Sequence, residues 1–293
     1  MSAAATTASG PAPALPTRLG VVGGGRMGAG IAQVVLQAGS EVVMVEADQD
    51  AGQAAGERVR AGLERAHERG KLERPVAEVL EGLRVASEMA ELAGCGLVVE
   101  AVFEDPDLKA SVLDQAAAAT GPEAVVATNT SSISIDELAR AVPRPERFLG
   151  MHFFNPVPVS QLVELVRGEA TTAEVVASAQ RWAEALGKTP VVVADRPGFA
   201  TSRLGVLLGL EAVRMLEEGV ADAADIDTAM ELGYRHPMGP LKLTDLVGLD
   251  VRLGVARYLA ERLGDRFQPP QLLADKVARG ELGRKTGRGF YDW

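Results

Sequence analysis

As far as residue 195 the chain alternates short apolar runs with stretches whose apolar positions recur at helical spacing. RLGVVGGG (18–25) predicts a buried strand running into glycines. RMGAGIAQVVLQAG (26–39) predicts a helix with Ile31, Val34, Val35 and Ala38 at helical spacing and Gly39 as its stop. EVVMVEAD (41–48) predicts a second strand ending in acids, and 48–70 a long charged helix closed by Gly70. GLVVEAV (96–102) predicts another strand, followed over 105–121 by a helix with Asp105 and Pro106 as start signals and Gly121 as stop. AVVATNTSS (124–132) predicts a strand leading into a polar loop. RFLGMHFF (147–154), QLVELVR (161–167) and TPVVVAD (189–195) predict three more strands, with a helix over 172–187. Strands alternating with helices predict an α/β fold, a Rossmann-type doubly wound parallel sheet. After DRPGF (195–199) the pattern turns helical, over 203–219, 225–233, 249–264 and 268–280. The expected organisation is a disordered tail over 1–16, a Rossmann-type domain over 17–196 and an all-α domain over 197–293. The second domain is too small to cover its own apolar faces, so a homodimer through the C-terminal helices is expected.

Composition narrows the function classes. A formal net charge of −10 over 293 residues argues against a nucleic-acid binder, although local donors can still hold a phosphate-bearing ligand. Hydrophobic content of 47% and charged content of 24% are ordinary for a globular protein. The apolar runs stop far short of the roughly 18 residues a membrane span needs, so no membrane partner is expected. Cys95 is the one cysteine, which leaves no intramolecular disulfide, no cysteine-based metal site and a reading that fits a reducing cytoplasm. Residues 1–16 have neither the basic nor the apolar region of a signal peptide and are expected to lie outside the fold.

Three segments carry candidate chemistry. GGGRMG supplies G-x-G-x-x-G as Gly23, Gly25 and Gly28, between a predicted strand and a predicted helix. Gly23 permits a tight turn, Gly25 lets a pyrophosphate approach the backbone, and Gly28 lets helix and strand close together, with Arg26 and Met27 lining the loop. Glu46 ends the next strand, near the offset of about 20 residues expected for an acid on the ribose hydroxyls, and its charge favours NAD over NADP. A ligand-free glycine turn with a solvated acid is the alternative. In MHFFNPVP, His152 lies in an apolar run, and in QLVELVR, Glu164 shares a strand face with Leu162 and Val166. The short NPVPVS link can bring the two segments side by side. A histidine oriented by a buried carboxylate is a general base that becomes a stabilised imidazolium. Spacing leaves a second reading open, a core histidine bonded to a carbonyl with Glu164 on an exposed edge. His67 and His236 have no acid so placed. TNTSS (128–132) lies at the carboxyl edge of the predicted sheet, where ligands bind, although such clusters also make ordinary turns.

VVGGGRMGAGIAQ, VVEAVFED, TNTSSISI, GMHFFNPVP, LVELV, PGF, DIDTAMELGYRHPMGP, DLVGLD and GRKTGRGFYDW resemble, in this order, the short L-3-hydroxyacyl-CoA dehydrogenases, and among them the bacterial 3-hydroxybutyryl-CoA dehydrogenases. The resemblance covers nearly everything after residue 17, and no hydratase-like segment accompanies it. It implies an NAD-dependent oxidoreductase of β-oxidation type acting on an acyl-CoA substrate, with His152 as base, Glu164 holding it and Ser131 on the substrate 3-oxygen. It also implies that Asn129 and Asn155 line the nicotinamide and substrate region and that Glu104 and Lys109 lie near the cofactor and substrate. Arg69 then aligns with a contact to the coenzyme A adenylate, on a helix that also carries Arg58, Arg65 and Lys71; a solvated face of Glu–Arg pairs is the alternative. One position departs from the family pattern P-G-F-x-x-N-R: PGFATSR places Ser202, with one hydroxyl, where an amide is usual. Two other function classes remain open at this point, a dehydrogenase of a free hydroxy acid of gulonate or carnitine type and a non-catalytic NAD-binding protein.

Overall fold

A computed structural model describes residues 15–293, so most of the expected 1–16 tail lies outside the described residues. The chain divides after Asp195 into two compact units.

The first unit is built on strands β1 (Arg18–Val22), β2 (Glu41–Val45), β3 (Leu83–Ala86), β4 (Leu97–Glu100), β5 (Val125–Thr128), β6 (Phe148–Phe153), β7 (Leu162–Arg167) and β8 (Thr189–Ala194). They form one sheet in the order β3-β2-β1-β4-β5-β6-β7-β8. Its helices are α1 (Arg26–Gln37), α2 (Gln49–Glu68), α3 (Val76–Leu80), α4 (Pro106–Ala119), α5 (Ile135–Ala139) and α6 (Ala173–Ala185). Alternation along the strands splits the core into two layers. Leu19, Val21, Val42, Met44, Leu97 and Val99 pack with residues of α1, α2 and α6, whereas Val22, Val43, Val45 and Val98 pack with Val112 and Ala116 of α4.

The sheet departs from the all-parallel expectation at one place. β7 runs antiparallel to β6, and β8 runs parallel to β7. Residues 154–161 are too few for the crossover that a parallel pair requires, which takes a dozen or more, so the chain turns back on itself. β3, α3 and α5 were not predicted. Each spans four or five residues, too short to display a period, and β3 is an edge strand with two exposed positions.

The second unit consists of α7 (Thr201–Glu217), α8 (Ala223–Gly233), α9 (Pro240–Val247), α10 (Leu249–Leu263) and α11 (Gln271–Ala278). Val206, Leu210, Val213, Leu241, Leu253 and Leu259 form the centre of its core. α9 was hidden in the sequence because it opens directly after HPMG, where glycine and proline read as a turn; here Pro240 occupies the first helical turn, which tolerates a missing N–H. The C-terminal segment is fastened by a buried carboxylate. Asp245 accepts from the Phe290 and Tyr291 backbone N–H groups at 2.8 and 2.9 Å and from Trp293 Nε1 at 2.8 Å.

Candidate active site

Register aligns the ends of the parallel strands. Val22 pairs with Glu100, Glu100 with Thr128, and Thr128 with Gly150. The residues that follow this row therefore reach the carboxyl edge together: the glycine loop after β1, Ala101–Glu104 after β4, Asn129–Ser131 after β5, and His152 in β6. The strand order reverses between β1 and β4, which is where an open α/β sheet forms its ligand crevice.

The glycine loop has the shape that the spacing implies. Gly23 adopts φ 92°, a left-handed conformation open to glycine. A Cβ on Gly28 would overlap the Gly23 carbonyl, so α1 could not close on the turn. A Cβ on Gly25 would meet nothing, so the outer face of the loop is open to an approaching group. α1 has no side-chain cap and no acid in its first turn, which leaves its N-terminal N–H groups directed at that opening. These features fit a dinucleotide pyrophosphate. Arg26 is exposed at the loop and Met27 is half-buried. Glu46 folds back onto the loop, its Oε1 accepting from the Gly24 N–H at 2.5 Å.

His152 and Glu164 are register partners across the antiparallel β6–β7 pair. His152 Nδ1 lies 2.9 Å from Glu164 Oε2, with the Glu164 side chain fully buried and His152 at 7% exposure. Phe154 packs on the imidazole with ring centroids 4.3 Å apart. The exposed-edge alternative for Glu164 is thereby removed. His67 is instead exposed and bonds the Leu72 carbonyl at 3.1 Å, and His236 lies in the second unit.

The loop after β5 is held by a buried network whose centre sequence reasoning missed. Glu100, fully buried at the end of an apolar strand, accepts from Lys109 Nζ at 2.7 Å, Thr128 Oγ1 at 2.6 Å and the Val102 N–H at 2.7 Å. Lys109 is 1% exposed and also lies 3.3 Å from Glu104 Oε2. It does not stand on the crevice surface, as cofactor contact would require, but reaches the site through Glu104. Glu104 Oε1 in turn accepts from Thr130 Oγ1 at 2.5 Å, the Ser131 N–H at 2.9 Å and Ser132 Oγ at 3.2 Å. Burial pushes the Glu104 carboxyl up, but the Lys109 ammonium and the bonds from Thr130 and Ser131 outweigh it and hold the group below the usual carboxylate range. Asn129 Oδ1 accepts from the Phe153 N–H at 2.9 Å, tying this loop to the end of β6. The available signal for Glu100 was an acid closing a fully apolar strand, with a lysine on the next helix.

A second opening of about 730 Å³ lies beside the glycine loop, lined among others by Arg26, Arg58, Arg65, Arg69, Lys71 and Asn155. No carboxylate lines it. The Glu–Arg lacing expected of a solvated helix face reduces to one pair on α2, Arg60 with Glu57 at 3.9 Å, and Arg65, Arg69 and Lys71 pair with no acid among the described residues. Ser202 lies in the first turn of α7, in the second unit, and is half-buried.

Comparison with known proteins agrees with this geometry. Residues 18–196 match the 3-hydroxyacyl-CoA dehydrogenase NAD binding domain, and residues 198–293 match the C-terminal domain of the same enzymes. The chain is 42% identical over 277 residues to a probable 3-hydroxybutyryl-CoA dehydrogenase of Deinococcus radiodurans, covering 94% of this chain and all of that protein. It is 44% identical over 282 residues to the 3-hydroxybutyryl-CoA dehydrogenase of Mycobacterium tuberculosis, covering 94% and 98% of the two chains. The crystal structure of (S)-3-hydroxybutyryl-CoA dehydrogenase from Ralstonia eutropha superposes with a TM-score of 0.91 at 41% identity, over 94% of this chain and 99% of that one.

Proposed function

The chain belongs to the 3-hydroxyacyl-CoA dehydrogenase family, and on that premise we propose that it interconverts (S)-3-hydroxybutyryl-CoA and acetoacetyl-CoA with NAD. The observation that carries this reading is the buried His152–Glu164 pair at the edge where the glycine loop opens. With Glu164 Oε2 accepting a hydrogen bond from His152 Nδ1–H, proton exchange with substrate falls to Nε2. In oxidation Nε2 removes the 3-hydroxyl proton, and Glu164 stabilises the imidazolium that results. Bound NAD⁺ supplies the hydride acceptor. Ser131, fixed through its N–H by Glu104, orients the oxygen that becomes the carbonyl. In reduction the imidazolium returns the proton.

The cation-lined opening supports a coenzyme A substrate over a free hydroxy acid. Arg58, Arg65, Arg69 and Lys71 offer charge that a small hydroxy acid would not use and a nucleotide carrying phosphates would. Leu204, Leu207 and Leu208 of α7, and Leu243 and Val247 of α9, are exposed, which supports a homodimer through the second unit. Among the described residues no helix is long and apolar enough to cross a membrane, and the thiol of Cys95 is buried and unpaired, in keeping with a cytoplasmic location.

The test is NADH oxidation with acetoacetyl-CoA and with free acetoacetate. Turnover of the thioester alone is expected, and a preference for the free acid would reject the coenzyme A reading. His152→Ala is expected to lower kcat by on the order of 10³-fold while the NADH Kd stays within about twofold. Undiminished turnover in that variant would remove His152 as the base.

A further inference from the structure

The turn between β6 and β7 is held by a buried lysine. ALGK (185–188) closes α6. Gly187 adopts φ 69°, its N–H donates to the Glu184 carbonyl at 2.9 Å, and the Lys188 N–H donates to the Ala183 carbonyl at 2.9 Å, the paired bonds of a glycine helix stop. The Lys188 backbone is therefore fixed, and its side chain reaches the turn. Lys188 is 8% exposed, and its Nζ donates to the Val157 and Ser160 carbonyls at 2.6 Å each. It pairs with no acid among the described residues, and burial pulls its ammonium below the usual lysine range. Two carbonyl oxygens, not a counter-ion, hold this charge in place. Both bonds are charge-assisted, and removing the ammonium leaves both carbonyls short of a donor.

The turn that Lys188 grips is one wall of the cation-lined opening. Asn155, Val157 and Val159 line that opening together with Arg58, Arg65 and Arg69. Lys188 does not line it; with Ser160 and Gln161 it lines a separate, neighbouring opening of about 490 Å³. The turn is also packed against α1. A Cβ on Gly30 would stand 2.9 Å from Val157 Cβ, so turn and helix touch where glycine leaves room. Val157 is thus held twice, its side chain by α1 and its carbonyl by Lys188. His152 and Glu164 are placed by strand pairing instead: they are register partners across β6 and β7, and β8 flanks Glu164 on the other side.

We propose that Lys188 is a positioning residue for the coenzyme A substrate: by gripping the Val157 and Ser160 carbonyls it keeps the 155–159 wall at the distance from the α2 cations that the nucleotide end of the thioester requires. This deepens the reading given under Proposed function and rests on it. Lys188 touches neither substrate nor cofactor and exchanges no proton. Without its grip the wall relaxes and contacts to the nucleotide end weaken. The reacting carbon lies at His152, away from that end, so the weakening is the same before and during reaction. A loss of that kind raises KM and leaves kcat in place. A thioester that lacks the nucleotide does not reach the wall and is unaffected.

The experiment measures NADH oxidation with acetoacetyl-CoA and with acetoacetyl-pantetheine, which lacks the nucleotide, for the full-length wild type and Lys188→Met. The wild type tests the underlying reading: a KM at least about tenfold lower for the coenzyme A thioester is expected, and equal KM values would overturn the coenzyme A assignment of the opening and this inference with it. Given that preference, Lys188→Met is expected to raise the acetoacetyl-CoA KM by roughly tenfold with kcat within about twofold, while both parameters for acetoacetyl-pantetheine stay within about twofold of wild type. An acetoacetyl-CoA KM within about twofold of wild type would overturn the inference and leave the coenzyme A reading standing. So would a KM rise shared equally by the two thioesters, which a general loosening of the fold produces. If Lys188→Met does not fold, Lys188→Gln, which keeps a neutral donor, is measured in its place. A KM rise of about fivefold confined to acetoacetyl-CoA is then expected, and a rise under about twofold, or one shared by both thioesters, overturns the inference.

Discussion

The two units treat buried charge differently. In the first, each buried acid, lysine and histidine among the described residues is met. Lys109 bonds Glu100, His152 bonds Glu164, Lys188 donates to the Val157 and Ser160 carbonyls at 2.6 Å each, and Asp195 accepts from Ser134 Oγ and the Asp136 N–H. In the second, the buried acids are satisfied mainly by backbone N–H groups, those of Phe290 and Tyr291 on Asp245 and those of Leu241 and Lys242 on Asp227, and the Nε of the buried Arg252 has no acceptor among the described residues. Paired charges in the sheet unit hold loops and a ring in one geometry before substrate arrives. The contrast teaches that charges paired before any ligand arrives fix position, because a buried group held by several partners cannot move without leaving one of them unmet.

The sharpest way to break this contrast is to unpair the sheet unit. Glu100→Gln leaves Lys109 buried against a neutral partner and should cost roughly 3–5 kcal/mol in urea unfolding. The double variant Glu100→Gln/Lys109→Met should recover most of that. A single-variant cost below about 1 kcal/mol would mean that the pair does not organise the unit.

Asp245→Ala probes the helical unit in the same currency. Three donors lose a charged acceptor, and a loss of about 3 kcal/mol is expected, with Trp293 emission shifting to the red as the C-terminal segment comes loose. An unchanged emission maximum would show that the segment is held by its other contacts. The smallest effect belongs to an acid near the surface. Glu46→Ala should leave stability nearly unchanged while reducing discrimination against NADPH by roughly tenfold, about one charge-assisted contact. Equal NADH and NADPH efficiency in the unaltered protein would show that Glu46 does not select the cofactor.

Much of the fold was legible because its signals are local. The glycine loop announced itself by spacing, and β1, α1, β2, α2, β4, α4, β5, β6, α6 and four C-terminal helices by period and by stop residues such as Gly39 and Gly70. The missed elements are those whose length is below one period or whose start carries turn residues, as at Pro240. In the site, His152 and Glu164 stood out as polar residues in apolar strands, whereas Glu100 drew no reading and Lys109 was placed near the cofactor by resemblance alone. Their pairing depends on how α4 lies on β4, which neither segment encodes by itself.

The order of residue types along this chain by itself determined an α/β sheet with a nucleotide loop, a helical continuation, and a histidine and a carboxylate placed to meet. Only the tertiary structure decided that β7 turns back against β6, that Lys109 serves Glu104 from within the core, and that Arg252 is enclosed without an acceptor. The reason is physical. Period and capping are settled among residues a few positions apart, but a charge acquires or lacks a partner only when distant elements come together, and burial then sets what that pairing is worth.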